Sequence, residues 1–227
     1  MSIPLFRSTL LALSAFVAWA SPCAASVTTL LQDDFNTEFT WSSLSETSLE
    51  PMAALVIDPA DADSTSNHVL RFIRKNDARI FRDLSVPGVN GNITIEFRIL
   101  KTGSTNTGGL WLVDPSGKGI GFLLELNTPQ LIHRAKILST TDAAETQTLL
   151  KVFPNIAPAN PPGETVWHRV SFTWNVEQGT VSATLDGEPM GEADIALPPG
   201  LPLSRVILYG GFPSTLYLDD VRITCDR

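Results

Sequence analysis

Two pairs of adjacent aspartates stand near the two ends of the chain, Asp33-Asp34 and Asp219-Asp220. Around the second pair, apolar residues occupy positions 216 and 218 and then 221 and 223, so the alternation slips by one residue. The slip predicts either a β-bulge or an aspartate that points inward, which would need a partner because burying an unpaired carboxylate is costly. If the terminal strands are neighbours, the four carboxylates form an oxygen-rich site that suits Ca²⁺. Alternatively, Asp34 or Asp219 caps backbone amides or pairs with an arginine.

A second group of polar and aromatic residues alternates with residues suited to a core. If Ile95 and Phe97 face the core, Glu96 and Arg98 point outward. The same alternation predicts that the side chain of Trp111 also points outward. On neighbouring strands such residues would form an aromatic platform ringed by charges, which suits sugar hydroxyls. The predicted carbohydrate contacts are Trp111, Glu96, Arg98, Glu125 and Arg134, with Trp41 as an aromatic carried by a loop. The alternative is cross-strand ion pairing on a solvated sheet.

The same residues also allow a catalytic interpretation. Glu125 or Glu96 could serve as the acid or base of a polysaccharide lyase or glycoside hydrolase, with His133 assisting, but the separation of the two carboxylates decides such a mechanism. The sequence contains no nucleophile elbow, phosphate loop or zinc-ligand spacing. The catalytic hypothesis therefore stays an alternative to simple binding.

A long hairpin over residues 166–187 is the clearest element that could position these side chains. Val170, Phe172 and Trp174 alternate with polar residues, and the alternation resumes after a corner at residues 177–179. Similar reasoning predicts a hairpin from 109–114 and 118–126, and another from 68–75 and 79–84 around Asn76-Asp77. About a dozen short strands and no helical periodicity predict an all-β, two-sheet antiparallel sandwich of the jelly-roll type.

Three segments resemble the concanavalin A-like lectin and glucanase superfamily, particularly its laminin-G-like and carbohydrate-binding jelly rolls. They are Leu-Gln-Asp-Asp-Phe at 31–35, Trp-His-Arg-Val at 167–170 with Leu-Asp-Gly at 185–187, and Leu-Asp-Asp-Val-Arg-Ile at 218–223. The resemblance implies two curved sheets, ligand binding on a concave face or at loop tips, and often a structural calcium ion near the terminal strands. The Glu-x-Asp-x-x-Glu strand of the retaining glucanases of this superfamily does not occur in this sequence. A structural or adhesion module without a sugar site is a further alternative.

The first 25 residues have the composition of an export signal. Arg7 precedes a short apolar run, and small residues suitable for cleavage follow at Ala20 and Ala25. We therefore expect a signal peptide at 1–25, one β-sandwich domain at 26–227, and a secreted or periplasmic product without a membrane span. If cleavage follows Ala20, Cys23 could form a disulfide with Cys225.

The charge of the chain bears on its partners. The formal net charge is −8, and it becomes more negative when Arg7 is removed. An acidic surface argues against nucleic acid and anionic lipid as partners, and carbohydrate is the partner that the polar and aromatic residues and the resemblance suggest. The sequence does not indicate which glycan is bound or what oligomeric state the chain adopts.

Overall fold

The structure is a computed structural model that describes residues 26–44, 53–61, 63–72, 78–84, 91–102, 107–127, 132–140, 147–158, 166–195, 202–210 and 215–226. For some of these, including Glu125 and Arg134, only the backbone is described. The described residues form strands and no helix, so none of their segments is a helix that could cross a membrane. The prediction of an all-β chain is confirmed.

Fifteen strands are present in the described part of the chain. In order, they are β1 (Val27–Asp33), β2 (Ser42–Ser43), β3 (Ala53–Ile57), β4 (His68–Phe72), β5 (Ala78–Asp83), β6 (Asn92–Thr102), β7 (Thr107–Val113), β8 (Gly119–Asn127), β9 (Ile132–Thr140), β10 (Gln147–Pro158), β11 (His168–Asn175), β12 (Thr180–Leu185), β13 (Glu188–Asp194), β14 (Arg205–Gly210) and β15 (Thr215–Asp226).

The strands form two antiparallel sheets. The first has the order β13-β12-β11-β6-β15-β4-β3, and β1 also pairs with β15. The second has the order β10-β9-β8-β7-β14-β5-β2. The N-terminal and C-terminal strands are thus neighbours, as the calcium hypothesis required, with Asp33 opposite Val221.

Aromatic and aliphatic side chains from both sheets fill the space between them. The ring of Phe172 in the first sheet lies 5.1 Å from that of Phe122 in the second and 6.4 Å from that of Phe97. All three side chains are buried, and each such burial stabilises the fold by about 1.5–3 kcal/mol. The alternation of apolar residues therefore joins two layers, and the predicted two-sheet sandwich is confirmed.

The hairpin over 166–187 corresponds to β11 and β12, which pair in register from Val170 with Leu185 to Asn175 with Thr180. Core-facing residues alternate with more exposed ones along both strands. Asp186 and Gly187 have φ of 52° and 85°, as a two-residue turn between β12 and β13 requires. The Asp186 carboxylate also lies 2.7 Å from Nδ1 of His168, which ties this turn to the start of β11.

The expected hairpin around Asn76-Asp77 is wrong. β4 pairs with β3 and β15 in the first sheet, whereas β5 pairs with β14 and β2 in the second. The two strands are adjacent in sequence but belong to different layers. Both carry apolar residues at alternate positions, and that pattern is the same whichever sheet a strand joins.

Part of the outer face of the second sheet, on the side away from the other sheet, is apolar and buried. Trp111 forms a cluster there with residues of β7, β8, β9 and β14, namely Val113, Leu123, Leu138 and Ile207. A Cβ atom on Gly121, opposite Trp111, would lie 2.6 Å from the indole carbons. Gly121 therefore leaves the space that the Trp111 ring occupies.

Candidate functional site

The aspartate pair in β15 forms a bulge. The register with β6 shifts between Asp219 and Arg222, and Asp220 has a left-handed φ of 48°. Because of the extra residue, the apolar residues before and after the pair, such as Leu218 and Val221, are all buried in the core. The predicted bulge is confirmed, and it directs Asp219 and Asp220 toward the outer face of the first sheet.

Arg98 of β6 is surrounded by three carboxylates. Its Nη2 atom lies 3.2 Å from Oδ2 of Asp219 and 3.7 Å from Oδ2 of Asp58, and Nη1 lies 3.5 Å from Oδ2 of Asp220. The guanidinium also lies 4.7 Å from the ring centre of Trp167, and Nε1 of Trp167 donates a hydrogen bond of 3.0 Å to Asp58. We call these five residues the Arg98 cluster. They join β6, β15, the end of β3 and the start of β11.

Asp219 and Asp58 are the most deeply buried carboxylates of the Arg98 cluster, and each is 3 % exposed. Burial raises the pKa of Asp219 to about 7, and the neighbouring charge of Asp220 raises it as well, against the hydrogen bond from the Asp220 amide and the charge of Arg98. One guanidinium does not offset three carboxylates in a buried setting. The cluster therefore takes up a proton near neutral pH.

A second set of contacts fixes the end of β1. Oδ1 of Asp33 accepts a hydrogen bond from the amide of Phe35, and Oδ2 accepts one of 2.8 Å from Nε1 of Trp41 and an ion-paired one of 3.2 Å from Nη1 of Arg82. Phe35 has a left-handed φ of 55°, and its buried ring lies 6.3 Å from that of Trp41. The chain therefore turns sharply after Asp33 and is held in that shape by side chains.

A cavity of about 200 Å³ lies between these two sets of contacts on the outer face of the first sheet. We call it the first cavity. Acidic, basic and amide side chains from four strands and the following loop surround it. Its lining residues are Gln32, Asp33, Asp34, Glu96, Phe97, Arg98, Arg169, Asp220, Val221 and Arg222. Nη2 of Arg169 donates a 2.9 Å hydrogen bond to Oε1 of Glu96 across β11 and β6. The cavity thus presents hydrogen-bond donors beside acceptors.

The predicted carbohydrate contacts do not form one surface. Glu96 and Arg98 lie in the first sheet and line the first cavity, whereas Trp111, Glu125 and Arg134 lie on β7, β8 and β9 of the second sheet. Glu125 and Arg134 are directly opposite each other in the backbone register, and their side chains lie outside the described part. Because β6 pairs with β11 and β15 and not with β7, the expected grouping of all five residues is wrong.

The two tryptophans expected at the surface are buried. Trp111 is 0 % exposed in the apolar cluster of the second sheet, and Trp41 is 5 % exposed against Phe35 and Asp33. The prediction of an exposed Trp111 platform is therefore wrong, as is that of an exposed Trp41. Alternation correctly predicted that Trp111 points away from the core between the sheets, but the part of the outer face around it is apolar as well.

The expected acid–base pair of Glu96 and Glu125 is not formed. Glu96 alternates with Ile95 and Phe97, which are buried between the sheets, so it faces away from the second sheet, to which Glu125 belongs. Instead, Glu96 bonds to Arg169. Cross-strand ion pairing, the alternative to the sugar platform, is thus present at this position.

The candidate calcium ligands contact arginines and backbone amides. Asp33 pairs with Arg82, and Asp219 and Asp220 both pair with Arg98. Asp34 accepts a hydrogen bond of 3.1 Å from the amide of Asn36. These contacts are the alternative stated for the aspartate pairs, and they leave three of the four carboxylates beside a cation. The donor set as arranged does not require Ca²⁺, and calcium binding stays a prediction.

The predicted disulfide also stays a prediction, since Cys23 lies outside the described residues. Cys225 is buried near the end of β15, and its Sγ atom lies 3.5 Å from the carbonyl oxygen of Asp226.

Four residues of this region were not predicted as part of a site: Asp58, Arg169, Arg222 and Gln32. Arg169 and Arg222 occupy outward positions of β11 and β15, so the alternation that exposed Glu96 could have included them. Gln32 lies on β1 opposite Arg222. Asp58 follows β3, and no local pattern indicates that it meets Arg98, which is 40 positions away in the sequence.

No protein-family model matches the sequence, and no curated protein matches it. Solved structures of the same fold are found. The β-agarase A of Zobellia galactanivorans has a TM-score of 0.58 at 10% identity, covering 89% of this chain and 93% of the agarase chain. A Bacillus subtilis protein of unknown function with a galectin-like fold has a TM-score of 0.56 at 12% identity, covering 88% and 97%.

A third similar structure is a Bacteroides ovatus mixed-linkage-glucan protein of glycoside hydrolase family 16, solved with a product bound. Its TM-score is 0.55 at 15% identity, and the match covers 86% of this chain and 99% of that chain. At these identities the similarity concerns the fold. The chain shares the two-sheet antiparallel fold of these structures, which agrees with the fold that the resemblance of its terminal and central motifs implied.

Proposed function

We propose that this chain, with its concanavalin A-like fold, is a secreted carbohydrate-binding domain whose sugar site is the first cavity on the outer face of the first sheet. The observation that carries the proposal is the mixed lining of that cavity, in which donors of Arg98, Arg169 and Arg222 stand beside acceptors of Glu96 and Asp220. A sugar presents adjacent hydroxyl groups that each donate and accept, so such side-by-side groups suit it.

The size of the cavity supports a small ligand portion. A volume of about 200 Å³ lies below the roughly 300–1,000 Å³ typical of sites for drug-sized molecules. It suits one sugar ring better than an extended chain segment. The two ion pairs at its rim, Glu96 with Arg169 and Asp220 with Arg98, fix their polar atoms before a ligand arrives. Such preorganisation reduces the entropy lost on binding.

Backbone strain supports the same location. Three non-glycine residues of the described chain have positive φ: Phe35, Asp186 and Asp220. Asp186 belongs to a hairpin turn, but Asp220 lines the first cavity and Phe35 follows the two aspartates that line it. Strained residues of this kind persist where the surrounding structure holds them and concentrate at binding sites.

The structural neighbours and the N-terminal sequence support the remaining parts of the proposal. An agarase and a mixed-linkage-glucan protein share this fold, although the fold by itself does not choose between enzyme and binding domain. Binding is favoured because the carboxylate of Glu96 is engaged in a 2.9 Å ion pair with Arg169, which is not the arrangement of two carboxyl groups that glycoside hydrolysis uses. Export is favoured by the signal-like composition of residues 1–25.

The test uses the chain from residue 26 and measures retention on insoluble polysaccharides together with release of reducing sugars. We expect retention on at least one neutral polysaccharide without product release. The double variant Arg169→Ala/Arg222→Ala should lower the affinity at least about tenfold, since it removes two charged donors from the cavity. Glu192→Gln, at an exposed position of β13, is the matched control and should bind as the wild type does.

Two results would contradict the proposal. Retention that the Arg169→Ala/Arg222→Ala variant leaves unchanged would place the sugar elsewhere. Release of reducing sugars by the wild type would favour the hydrolase or lyase alternative.

A further inference from the structure

A second cavity adjoins the first at the end of β1. It has a volume of about 360 Å³ and is lined by Gln32, Asp33, Asp34, Thr37, Glu38, Thr40 and Arg82. Gln32, Asp33 and Asp34 line both cavities. The end of β1 therefore separates two neighbouring polar cavities that share part of their lining.

We propose that this second cavity is a further sugar subsite, so that the ligand is a neutral oligosaccharide of at least two units with one unit in each cavity. The inference rests on the proposed function of the first cavity. It adds the minimum length of the ligand and its charge class.

The lining of the second cavity offers groups that suit sugar hydroxyls. The exposed residues Thr37, Glu38 and Thr40 provide two hydroxyls and a carboxylate. Arg82 provides donors and is oriented by its 3.2 Å contact with Asp33. Because both Asp33 oxygens already accept hydrogen bonds from Phe35, Trp41 and Arg82, Asp33 positions Arg82 while the other groups face the ligand.

The segment between the cavities is held rigidly. Phe35 packs against Trp41 in the core. The side-chain oxygen of Asn36 accepts a 2.7 Å hydrogen bond from the amide of His68 in β4, and the Asn36 amide donates to Asp34. A fixed segment keeps the two cavities at a constant spacing, so binding to one positions a linked sugar at the other with little further loss of entropy.

Charge determines the class of sugar. The second cavity is lined by three carboxylates, those of Asp33, Asp34 and Glu38, and by one arginine. A uronic acid or sulfated sugar would place like charges side by side, which disfavours binding at a specific interface. A neutral sugar meets no such repulsion.

The test is isothermal titration calorimetry with gluco- and galacto-oligosaccharides of one to four units and with oligogalacturonides of the same lengths. In the wild type, affinity for the neutral series should rise at least about tenfold from one unit to two. Glu38→Gln/Thr40→Val should lower that gain to about threefold or less. Its affinity for the monosaccharide should be unchanged, and Glu192→Gln should behave as the wild type does.

The outcomes separate this inference from the proposed function. Equal affinity for one and two units, an undiminished gain in the Glu38→Gln/Thr40→Val variant, or tighter binding of digalacturonide would refute the second subsite, even where the monosaccharide binds through Arg169 and Arg222. Monosaccharide affinity that is unchanged in Arg169→Ala/Arg222→Ala would refute the site in the first cavity. Binding of no member of either series would refute both.

Discussion

The outer faces of the two sheets differ in character between the region of the first cavity and the region of Trp111. On the first sheet, several of the residues that alternate with the core are charged, such as Arg169, Glu96 and Arg222, and they surround a cavity. On the second, the corresponding positions include Trp111, Val113 and Ile207, which are 0–1 % exposed. Both sheets obey the same alternation, so the position of a residue on an outer face does not by itself make it accessible.

The two outer faces therefore contribute differently to stability and to candidate ligand binding. The buried apolar cluster on the second sheet adds to the hydrophobic stabilisation already supplied by the core between the sheets. The first sheet carries the ion pairs of Glu96 with Arg169 and of Arg98 with Asp219 and Asp220, and a bulge with a left-handed aspartate lies beside its cavity. Stability is therefore concentrated on one outer face and the candidate binding chemistry on the other.

The largest expected effect comes from Trp111→Ala. Removing a fully buried indole should lower the free energy of unfolding by about 3–5 kcal/mol, because transfer energy is lost and a cavity remains. The matched change on the other face, Arg222→Ala at an exposed position, should cost about 0.5 kcal/mol or less. Urea unfolding of the wild type and both variants measures the contrast.

The comparison would fail if the two variants were destabilised equally, or if Arg222→Ala cost more. Exposure of the Trp111 side chain to solvent would also contradict the comparison, and fluorescence quenching would detect it. The indole would then be quenched by acrylamide, whereas the structure places the whole side chain out of contact with solvent.

A smaller effect is expected from Arg98→Gln, which tests the buried part of the charged face. The change leaves Asp219 and Asp58, each 3 % exposed, without the guanidinium that they contact. Because the Arg98 side chain is 33 % exposed, we expect a cost below about 3 kcal/mol, the value for a fully buried pair. Adding Asp219→Asn should recover part of this loss, since one buried carboxylate is then neutral. A cost near zero for Arg98→Gln would show that the Arg98 cluster behaves as an ordinary surface network.

The sequence was sufficient for the parts of the fold that local alternation determines. The hairpin from Val170 to Leu185 and the bulge at Asp219-Asp220 follow from periodicity and from its interruption. Periodicity does not state which sheet a strand joins, and this explains the failure at β4 and β5. The same limitation placed Glu96 and Trp111 on one surface, although they belong to different sheets.

The candidate site was only partly predictable for a related reason. Glu96 and Arg98 could be predicted from alternation because they lie on the same strand. The contacts of Arg98 with Asp58 and of Asp33 with Arg82 join residues 40 and 49 positions apart, through loops and strand ends. Such contacts depend on how the sheets and loops are arranged, which alternation within a single strand does not encode.

The titration of Asp219 provides a smaller and pH-dependent test of the charged face. Its pKa in the folded protein is raised to about 7 by burial, against about 3.9 for an unperturbed aspartate. Between these values the folded state binds more protons, so the contribution of Asp219 to stability is complete below about pH 4 and is lost as the pH rises through about 7. In buffer with EDTA, the free energy of unfolding should fall by about 1 kcal/mol more in the wild type than in Asp219→Asn between pH 6 and 8.

The smallest effect, and the one of opposite sign, is expected at Asp114 in the turn between β7 and β8 of the second sheet. Partial burial tends to raise its pKa, but hydrogen bonds from the Ser116 hydroxyl and from the amides of Lys118 and Ser116 outweigh burial and lower it. Its contribution is therefore present at neutral pH and lost as the pH falls through the lowered pKa. Solvent screening limits it to a few tenths of a kcal/mol. Asp114→Asn should then reduce the gain in stability from pH 3 to pH 5, whereas Asp219→Asn should remove a loss of stability from about pH 4 to pH 7. If both variants changed the pH dependence of stability in the same direction, burial would not be the cause of the difference between these two aspartates.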